Sequence, residues 1–421
     1  MNRLALISLV AACAFCSCTT DKASNATENA TSEKAVRELK SWLQTSRETR
    51  PPLTNAAFAS VPLTREDAAA ALNLLWQDHA AFIRETRAAE MRDKVIQLGE
   101  LKMKFDWLSF TNAPATNGRS LFISMHGGGG APTSVNDSQW RNQVRLGNSY
   151  KPGEGIYVAP RAPTDAWNLW HQAHIDQFFD RLIENFVVLE NVNPNRVYIL
   201  GYSAGGDGVY QLGPRMADRW AAASMMAGHP NEASPLGLRN VPFAIQVGGN
   251  DSAYKRNTVA AEWGRKLDDL QKTDPTGYRH FTEIHAGKPH WMGLEDKKAI
   301  PWMEQFTRDS LPAKIVWRQD DVTHTRFYWL ARPKDEVKRG QQIIAERAGQ
   351  TITLSSTNAQ TVTVLLNDRM MNLDREVITR ADNKELVSKR APRTIATIAR
   401  TLTERGDTGL TFSAEITVTL P

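Results

Sequence analysis

Cysteine is scarce in this chain of 421 residues, and the position of the few cysteines is as informative as their number. All three, Cys13, Cys16 and Cys18, lie close to the N-terminus. The rest of the chain therefore has no thiols for disulfides, and its stability must come from a hydrophobic core. The chain is long enough for two or three domains with at least one large core.

Long apolar runs and tracts of one charge are also missing. The apolar stretch at residues 4–15 is shorter than the roughly 20 residues that a membrane-spanning helix needs. The formal net charge of +5 is spread along the chain rather than gathered into one basic tract. This pattern argues against a nucleic-acid partner.

The N-terminus has the pattern of a secretory signal, because Arg3 precedes the apolar stretch and small residues follow it. Its cysteines resemble the lipobox of bacterial lipoproteins, whose cleavage leaves a lipidated cysteine. The residues before Cys13 match better, but we favour Cys18 because residues 19–32 have the composition of a polar tether. Plain secretion with incidental cysteines is the alternative. We expect a signal at 1–18 and a protein that is secreted or anchored to the bacterial cell envelope, with the lipid as its only membrane contact.

Hydrophobic periodicity divides the remaining chain into three parts. Residues 33–98 are predicted to form a helical appendage, with Thr64 as the N-cap of a long helix over 66–98. Residues 99–311 alternate between buried strands and helices, which is typical of a parallel sheet with helices on both faces. Residues 312–421 are predicted to form a β-rich, sandwich-like domain. Its strands are expected at 315–317, 326–330, 351–354, 361–366 and 414–420, with one helix at 394–402. The fold class is therefore α/β with a C-terminal β-rich domain.

Ser203 is the candidate nucleophile. It lies between glycines at 201 and 205, directly after the predicted strand 196–200 and before a helix. A reactive serine on such a turn projects its hydroxyl at the edge of the sheet, and small neighbours prevent a clash. The following helix directs its positive end at an oxyanion, and the backbone N–H of Ala204 is a candidate donor to it.

A second donor is predicted in the glycine run that follows His126. This run comes directly after the predicted strand 120–125, and its lack of side chains lets the backbone approach a substrate. We therefore assign the oxyanion hole to Gly127 or Gly128 together with Ala204. A flexible loop is the alternative interpretation of such a run.

The candidate acid is Asp251, which lies just beyond the predicted strand 241–247. Asp207 is its rival, but it lies on the helix that follows the nucleophile. The candidate base is His290, on the loop after the last predicted strand of this region, and His285 is the main alternative. The imidazole would accept the serine proton while the carboxylate holds its other nitrogen.

Two segments around and after Ser203 resemble a known family of proteins. The segment from 193 through the Ser203 elbow to 222, and the segment 227–230, resemble the polyhydroxybutyrate-depolymerase and feruloyl-esterase branch of the α/β-hydrolases. The order Ser, Asp, His along the chain is that of the same fold. The likeness covers about 119–308 and implies ester hydrolysis through an acyl-serine intermediate without a cofactor. Tyr202 departs from hormone-sensitive-lipase-like relatives, which usually have an acidic residue there.

Aromatic residues cluster around these motifs and are candidates for substrate binding. The candidates are Trp167, Trp170, Tyr202, His229 and Trp291. The tryptophans could form a stacking wall for a sugar or a phenolic acyl group, and packing in the core or a loop is an equal alternative. His171 and His174 lack a third ligand nearby, so we expect no metal.

These patterns predict a serine hydrolase of carboxylic esters, with an acylated polysaccharide or a related polymer as the favoured substrate. A serine peptidase of the prolyl-oligopeptidase type is the first alternative, although the short helical leader cannot form the β-propeller that such enzymes usually carry. A surface-binding protein that keeps the fold without activity is the second alternative.

Overall fold

The computed structural model describes residues 17–110 and 117–421. Cys13, Cys16 and the predicted signal up to residue 16 lie outside the described residues. Within the described ranges, no helix is both long enough and apolar enough to cross a membrane.

Two long helices begin the described chain, α1 (Ser17–Gln44) and α2 (Arg65–Asp93). Thr64 caps α2 as predicted, because its hydroxyl accepts a hydrogen bond from the N–H of Asp67 at 3.1 Å. Residues 19–32, the predicted polar tether, lie within α1. The second half of α1 is packed through buried Ala35 and Leu39, and a packed helix can extend into polar sequence.

The long helix ends earlier than its periodicity predicts. Lys94 adopts a left-handed conformation with φ of 55° and stops α2. Val95–Leu98 is strand β1, which pairs with the next strand in an antiparallel hairpin. The appendage predicted over 33–98 therefore gives its last residues to the main sheet.

The main sheet has eight strands in the order β1-β2-β4-β3-β5-β6-β7-β8. The pairs β1–β2 and β2–β4 are antiparallel, and the other pairs of the sheet are parallel. The further strands are β2 (Leu101–Phe110), β3 (Arg119–Met125), β4 (Gly155–Pro160), β5 (Val192–Tyr202), β6 (Ala222–Met226), β7 (Phe243–Gly248) and β8 (His280–His285). The helices that follow are α3 (Thr133–Tyr150), α4 (His174–Leu189), α5 (Ala204–Arg215), α6 (Arg256–Thr273) and α7 (Ala299–Met303).

Helices cover both faces of this sheet. Side chains alternate along a strand, and neighbouring residues such as Phe122 and Ile123 belong to two different buried clusters. One cluster contains residues of α4, α5 and α6, and the other contains residues of α7 with side chains of α3 packed against it. This explains why the central strands are continuous apolar runs, and it confirms the predicted fold class.

The C-terminal part is β-rich, also as predicted. It contains a four-stranded sheet, β10-β11-β14-β17, and a five-stranded sheet, β16-β15-β13-β12-β9. The elements are β9 (Lys314–Arg318), β10 (Arg326–Phe327), β11 (Leu330–Ala331), β12 (Gln342–Ala348), β13 (Thr351–Thr357), β14 (Thr361–Leu366), β15 (Val377–Ala381), β16 (Lys384–Lys389), α8 (Ile395–Arg405) and β17 (Ala414–Thr419). Their apolar residues join those of the main sheet in one contiguous core.

Buried ion pairs connect the two parts. Arg308 donates to Asp407 at 2.6 Å and to the carbonyl of Asp218 at 2.7 Å. The side chains of Arg308 and Asp407 are only 1% and 3% exposed. Burial opposes the charge on Asp407, but Arg308 and Arg219 outweigh it and lower the pKa of this carboxyl below its ordinary value. Arg405 pairs with Asp218 in the same junction.

We expect Arg308→Met to lower the free energy of unfolding by about 3–5 kcal/mol, because it leaves Asp407 buried without its closest cation. Urea denaturation followed by circular dichroism measures this loss. Lys272→Met is the control, since Lys272 and Asp269 form an exposed pair whose side chains are each 74% exposed. It should leave the free energy of unfolding nearly unchanged, because an exposed ion pair contributes little to stability. Equal effects of the two substitutions would contradict a stabilising role for the buried pair.

Candidate active site

Ser203 lies on a sharp turn between β5 and α5. Its backbone has φ of 58° and ψ of −121°, a combination that residues other than glycine rarely adopt. The turn brings Gly205 so close to β3 that a Cβ atom there would lie 2.1 Å from the carbonyl oxygen of Met125. The glycine is therefore required by close packing, as the sequence pattern indicates.

The structure brings Ser203, His290 and Asp251 into one hydrogen-bonded row. His290 Nδ1 lies 2.7 Å from Asp251 Oδ2, and its Nε2 lies 3.0 Å from the Ser203 hydroxyl oxygen. Because a carboxylate can only accept, Nδ1 carries the proton and Nε2 is free to accept from the serine. The side chain of Asp251 is 1% exposed and that of His290 is 42% exposed. This geometry suits proton transfer from serine to imidazole.

The two rival residues lie outside this row. Asp207 is on the first turn of α5, where its carboxylate accepts a hydrogen bond from the N–H of His229 at 2.6 Å. His285 is buried, and its ring contacts Gln246 and Glu295 at 3.2 and 3.1 Å. Among the described residues, the side chain of neither rival is hydrogen-bonded to the side chain of Ser203 or His290, so the geometry favours Asp251 and His290.

The glycine run is held in place by His126, a residue whose role the sequence analysis missed. Its Nδ1 lies 2.6 Å from the carbonyl oxygen of Gly127, and its Nε2 accepts from the N–H of Ala162 at 3.2 Å. Burial lowers the pKa of His126 to about 4, so the ring is neutral and Nδ1–H is the donor. In a trans peptide the N–H of Gly128 points opposite to the carbonyl of Gly127. Fixing that carbonyl therefore fixes the direction of the Gly128 N–H.

The predicted oxyanion donors lie next to the serine. A Cβ atom on Gly127 would be 3.1 Å from the Cβ of Ser203, which shows how closely the run approaches the nucleophile. Gly128 and Ala204 both line a cavity that contains Ser203. Ala204 is the first residue of α5, where backbone N–H groups have no partner within the helix.

Two cavities meet at Ser203. The larger, of about 640 Å³, is lined by residues of α3 and by the base. Its lining includes Gly127, Gln139, Leu146, Tyr202, His290 and Trp291. The smaller, of about 360 Å³, lies beside the start of α6. Its lining includes Gly128, Ala204, Trp167, Asp207, His229, Asn231, Tyr254 and Arg256.

The candidate substrate-binding residues have different positions. Trp291 and Tyr202 line the larger cavity, whereas Trp167 and His229 line the smaller one. The prediction for Trp170 is wrong, because this side chain is fully buried in the core and lines neither cavity. Its indole N–H donates to the carbonyl of His126 at 2.9 Å, so it holds the residue that precedes the glycine run.

The loop that carries His290 is held from two sides. On one side, the N–H of Asn250, next to the acid, donates to the carbonyl of Lys288 at 2.9 Å. On the other side, the Tyr202 hydroxyl donates to the carbonyl of His290 at 2.7 Å and accepts from the N–H of Met292 at 3.0 Å. Tyr202 thus connects the nucleophile strand with the loop of the base.

Arg256 is a second residue that the sequence analysis missed. It lies five residues after Asp251, at the start of α6, and its Nη1 atom is 3.6 Å from Asp251 Oδ1. The guanidinium also lines the smaller cavity. A basic residue five positions after the candidate acid, at the start of a helix, is the sequence signal that could have indicated this role.

No protein-family model and no curated protein matches this chain. Among solved structures, it is similar to a thermostable esterase (16% identity, TM-score 0.40), with 51% of this chain and 62% of that chain covered. It is also similar to esterase PE8 (17%, TM-score 0.37; 48% and 98% covered) and to a feruloyl esterase module from Clostridium thermocellum (14%, TM-score 0.37; 50% and 86% covered). The chain thus spans less than two thirds of the first of these structures.

The fold itself is that of the α/β-hydrolases. This follows from the mostly parallel sheet, the helices on both of its faces and the turn after β5 that carries a serine with positive φ. The roles of the individual site residues remain predictions.

We expect Tyr202→Phe to slow the labelling of Ser203 by a fluorophosphonate probe about tenfold. The change removes two hydrogen bonds to the base loop, each contributing about 1 kcal/mol, and His290 would be less well positioned. Tyr210→Phe is the matched control, because the Tyr210 hydroxyl is buried without a hydrogen-bond partner among the described residues. Unchanged labelling in Tyr202→Phe would show that the loop is held without this hydroxyl.

Proposed function

We propose that this chain is a serine hydrolase of carboxylic esters. The observation that carries the proposal is the row Ser203–His290–Asp251, with distances of 3.0 and 2.7 Å, at a turn beside the glycine run. A serine with a base, an orienting acid and backbone donors for a developing oxyanion is equipped for acyl transfer.

The reaction would proceed in two halves. His290 removes the hydroxyl proton of Ser203 while the oxygen attacks the ester carbonyl carbon, and the carbonyl oxygen becomes an oxyanion near the N–H groups of Gly128 and Ala204. The intermediate collapses, the bond to the alcohol oxygen breaks, and His290 gives its proton to the departing alcohol. Water then attacks the acyl-serine with the same proton transfers, which releases the acid and restores the serine.

For the substrate, we propose an acylated polysaccharide or a related polymer. Two cavities flank Ser203, and each carries an exposed tryptophan, Trp167 at 65% and Trp291 at 49% exposure. Exposed indoles of this kind provide flat apolar faces on which a sugar or a phenolic ring can stack. A protein anchored outside the cell through Cys18 would meet such polymers directly.

We expect Ser203→Ala to reduce the turnover of p-nitrophenyl esters and acetylated or feruloylated xylan by roughly 10⁴-fold or more, because the nucleophile is removed. His290→Ala should give a loss of similar size. His285→Ala is the matched control, since His285 is a nearby histidine outside the row, and it should keep most of the activity. Initial rates measured on purified variants of comparable thermal stability test this.

Other outcomes would favour the alternative functions. Turnover of peptide anilides alone, lost in Ser203→Ala, would favour a peptidase of the prolyl-oligopeptidase type. No Ser203-dependent turnover, together with no labelling by a fluorophosphonate, would leave a binding protein that keeps the fold without activity.

A further inference from the structure

The smaller cavity beside Ser203 contains an arginine whose hydrogen-bonding capacity is largely unused. The side chain of Arg256 is 13% exposed, and its Nε atom is buried without a partner among the described residues. The hydrogen bond that Nη1 donates, to the carbonyl of Ala253, is 3.5 Å long. A guanidinium has five N–H donors, and donors withdrawn from water without acceptors are unfavourable. This arrangement suits an acceptor supplied by a ligand.

The carboxylate nearest to Arg256 is already engaged. Asp251 Oδ1 lies 3.6 Å from Arg256 Nη1, beyond hydrogen-bond distance, while Oδ2 accepts from His290 at 2.7 Å. Asp251 thus neutralises part of the guanidinium charge without occupying its donors.

The backbone holds Arg256 in the cavity wall. Tyr254 and Lys255 both have left-handed backbones, with φ of 53° and 57°, directly before α6. Non-glycine residues adopt this conformation at an energetic cost, and two in succession form a fixed bend. The Tyr254 ring, 78% exposed, lies 4.8 Å from the guanidinium carbon and covers it from outside.

The other polar residues of the cavity include a histidine and one opposing charge. His229 Nδ1 lies 2.9 Å from the backbone nitrogen of Asn231 and 3.1 Å from its side-chain oxygen, and burial lowers the pKa of the His229 ring. Asp207 is the acidic residue among the described lining residues. Its carboxylate accepts a hydrogen bond from the N–H of His229, and burial raises the pKa of this carboxyl to about 6. At a pH near 6 a smaller fraction of Asp207 is therefore ionised than of an exposed aspartate.

The position of the base decides which half of an ester enters this cavity. The departing alcohol must receive its proton from His290, and His290 lines the larger cavity but not the smaller one. The alcohol therefore leaves through the larger cavity. The acyl group extends the other way, past Gly128 and Ala204 towards Arg256.

We infer that Arg256 binds a carboxylate on the acyl group, so that the preferred substrates are half-esters of short dicarboxylic acids. The inference rests on the proposed ester hydrolysis and names the acyl group of that reaction. A carboxylate has two oxygens that fit the planar donors of a guanidinium, and such charge-assisted pairs are stronger than neutral hydrogen bonds. The acyl group would lie across the cavity of about 360 Å³, with its free carboxylate at Arg256.

The test compares esters that differ only at the end of the acyl chain. The ethyl half-esters of succinic, glutaric and adipic acid are paired with ethyl butyrate, valerate and hexanoate, and the released acids are quantified by chromatography. We expect the wild type to favour the anionic member of at least one pair by about tenfold or more in kcat/KM. Arg256→Gln should remove this preference, and Arg256→Lys should keep part of it because it retains the charge without the planar fork.

Two further variants distinguish the effect of charge within the smaller cavity from the effect of the net charge of the protein. Asp207→Asn removes the opposing carboxylate and keeps an oxygen acceptor for His229, so it should increase the preference for the anionic ester. Arg265→Gln is the matched control, since Arg265 lies on the exposed side of the same helix and its loss changes the net charge equally. This control should leave the preference unchanged.

The outcomes distinguish this inference from the proposed function. Ser203-dependent turnover of the neutral esters without an anionic preference, or with a preference that survives in Arg256→Gln, would overturn the role of Arg256 alone. No Ser203-dependent turnover of any ester and no fluorophosphonate labelling would overturn the proposed function itself. If Arg256→Gln does not fold, the preference of the wild type and that of Asp207→Asn still test whether the smaller cavity binds an anionic acyl group.

Discussion

The backbone contacts that hold the loop after β8 are the constraint on which the site depends. Three strand ends, those of β5, β7 and β8, must present a serine, a carboxylate and an imidazole within hydrogen-bond distance. The loop with His290 contacts the acid loop through the N–H of Asn250 and contacts β5 through the Tyr202 hydroxyl. Gly248 allows this close approach, because a Cβ atom there would lie 2.1 Å from the carbonyl oxygen of Pro289.

This arrangement explains how a half-exposed histidine can be well placed. The imidazole of His290 has few neighbours that could fix it by packing, since its side chain is 42% exposed. Its position is set by its own backbone and by Asp251, which is buried and itself flanked by Arg256. Burying a carboxylate is unfavourable unless it is paired, so the acid, the base and the arginine depend on each other.

The sequence was sufficient for the features that arise from local chemistry. The glycines around Ser203, the glycine run after His126 and the polar residues at strand ends all have steric or electrostatic causes within a few residues. Contacts between distant segments were not predictable in this way. Tryptophan is a residue type that often binds substrates, but packing against residues from distant parts of the chain buries Trp170 in the core. The roles of His126 and Arg256 likewise depend on tertiary neighbours.

The errors in the elements have similar causes. The end of α2 was placed too late because Val95 continues the helical spacing, whereas the left-handed Lys94 turns the chain into β1. Three C-terminal strands, β12, β15 and β16, have no counterpart among the predicted strands. The most polar of them, β16, lies at a sheet edge and has no buried residue, so it lacks the alternation that identifies a strand.

The junction between the main sheet and the C-terminal sheets has a consequence for how the protein forms. Arg308 and Asp218 are made early in synthesis relative to Asp407 and Arg405, yet each needs a partner from that late segment. A nascent chain that stops before about residue 400 would leave these charges without their ion-pair partners from that segment and part of the common core uncovered. The native state is therefore within reach only once nearly the whole polypeptide has been released.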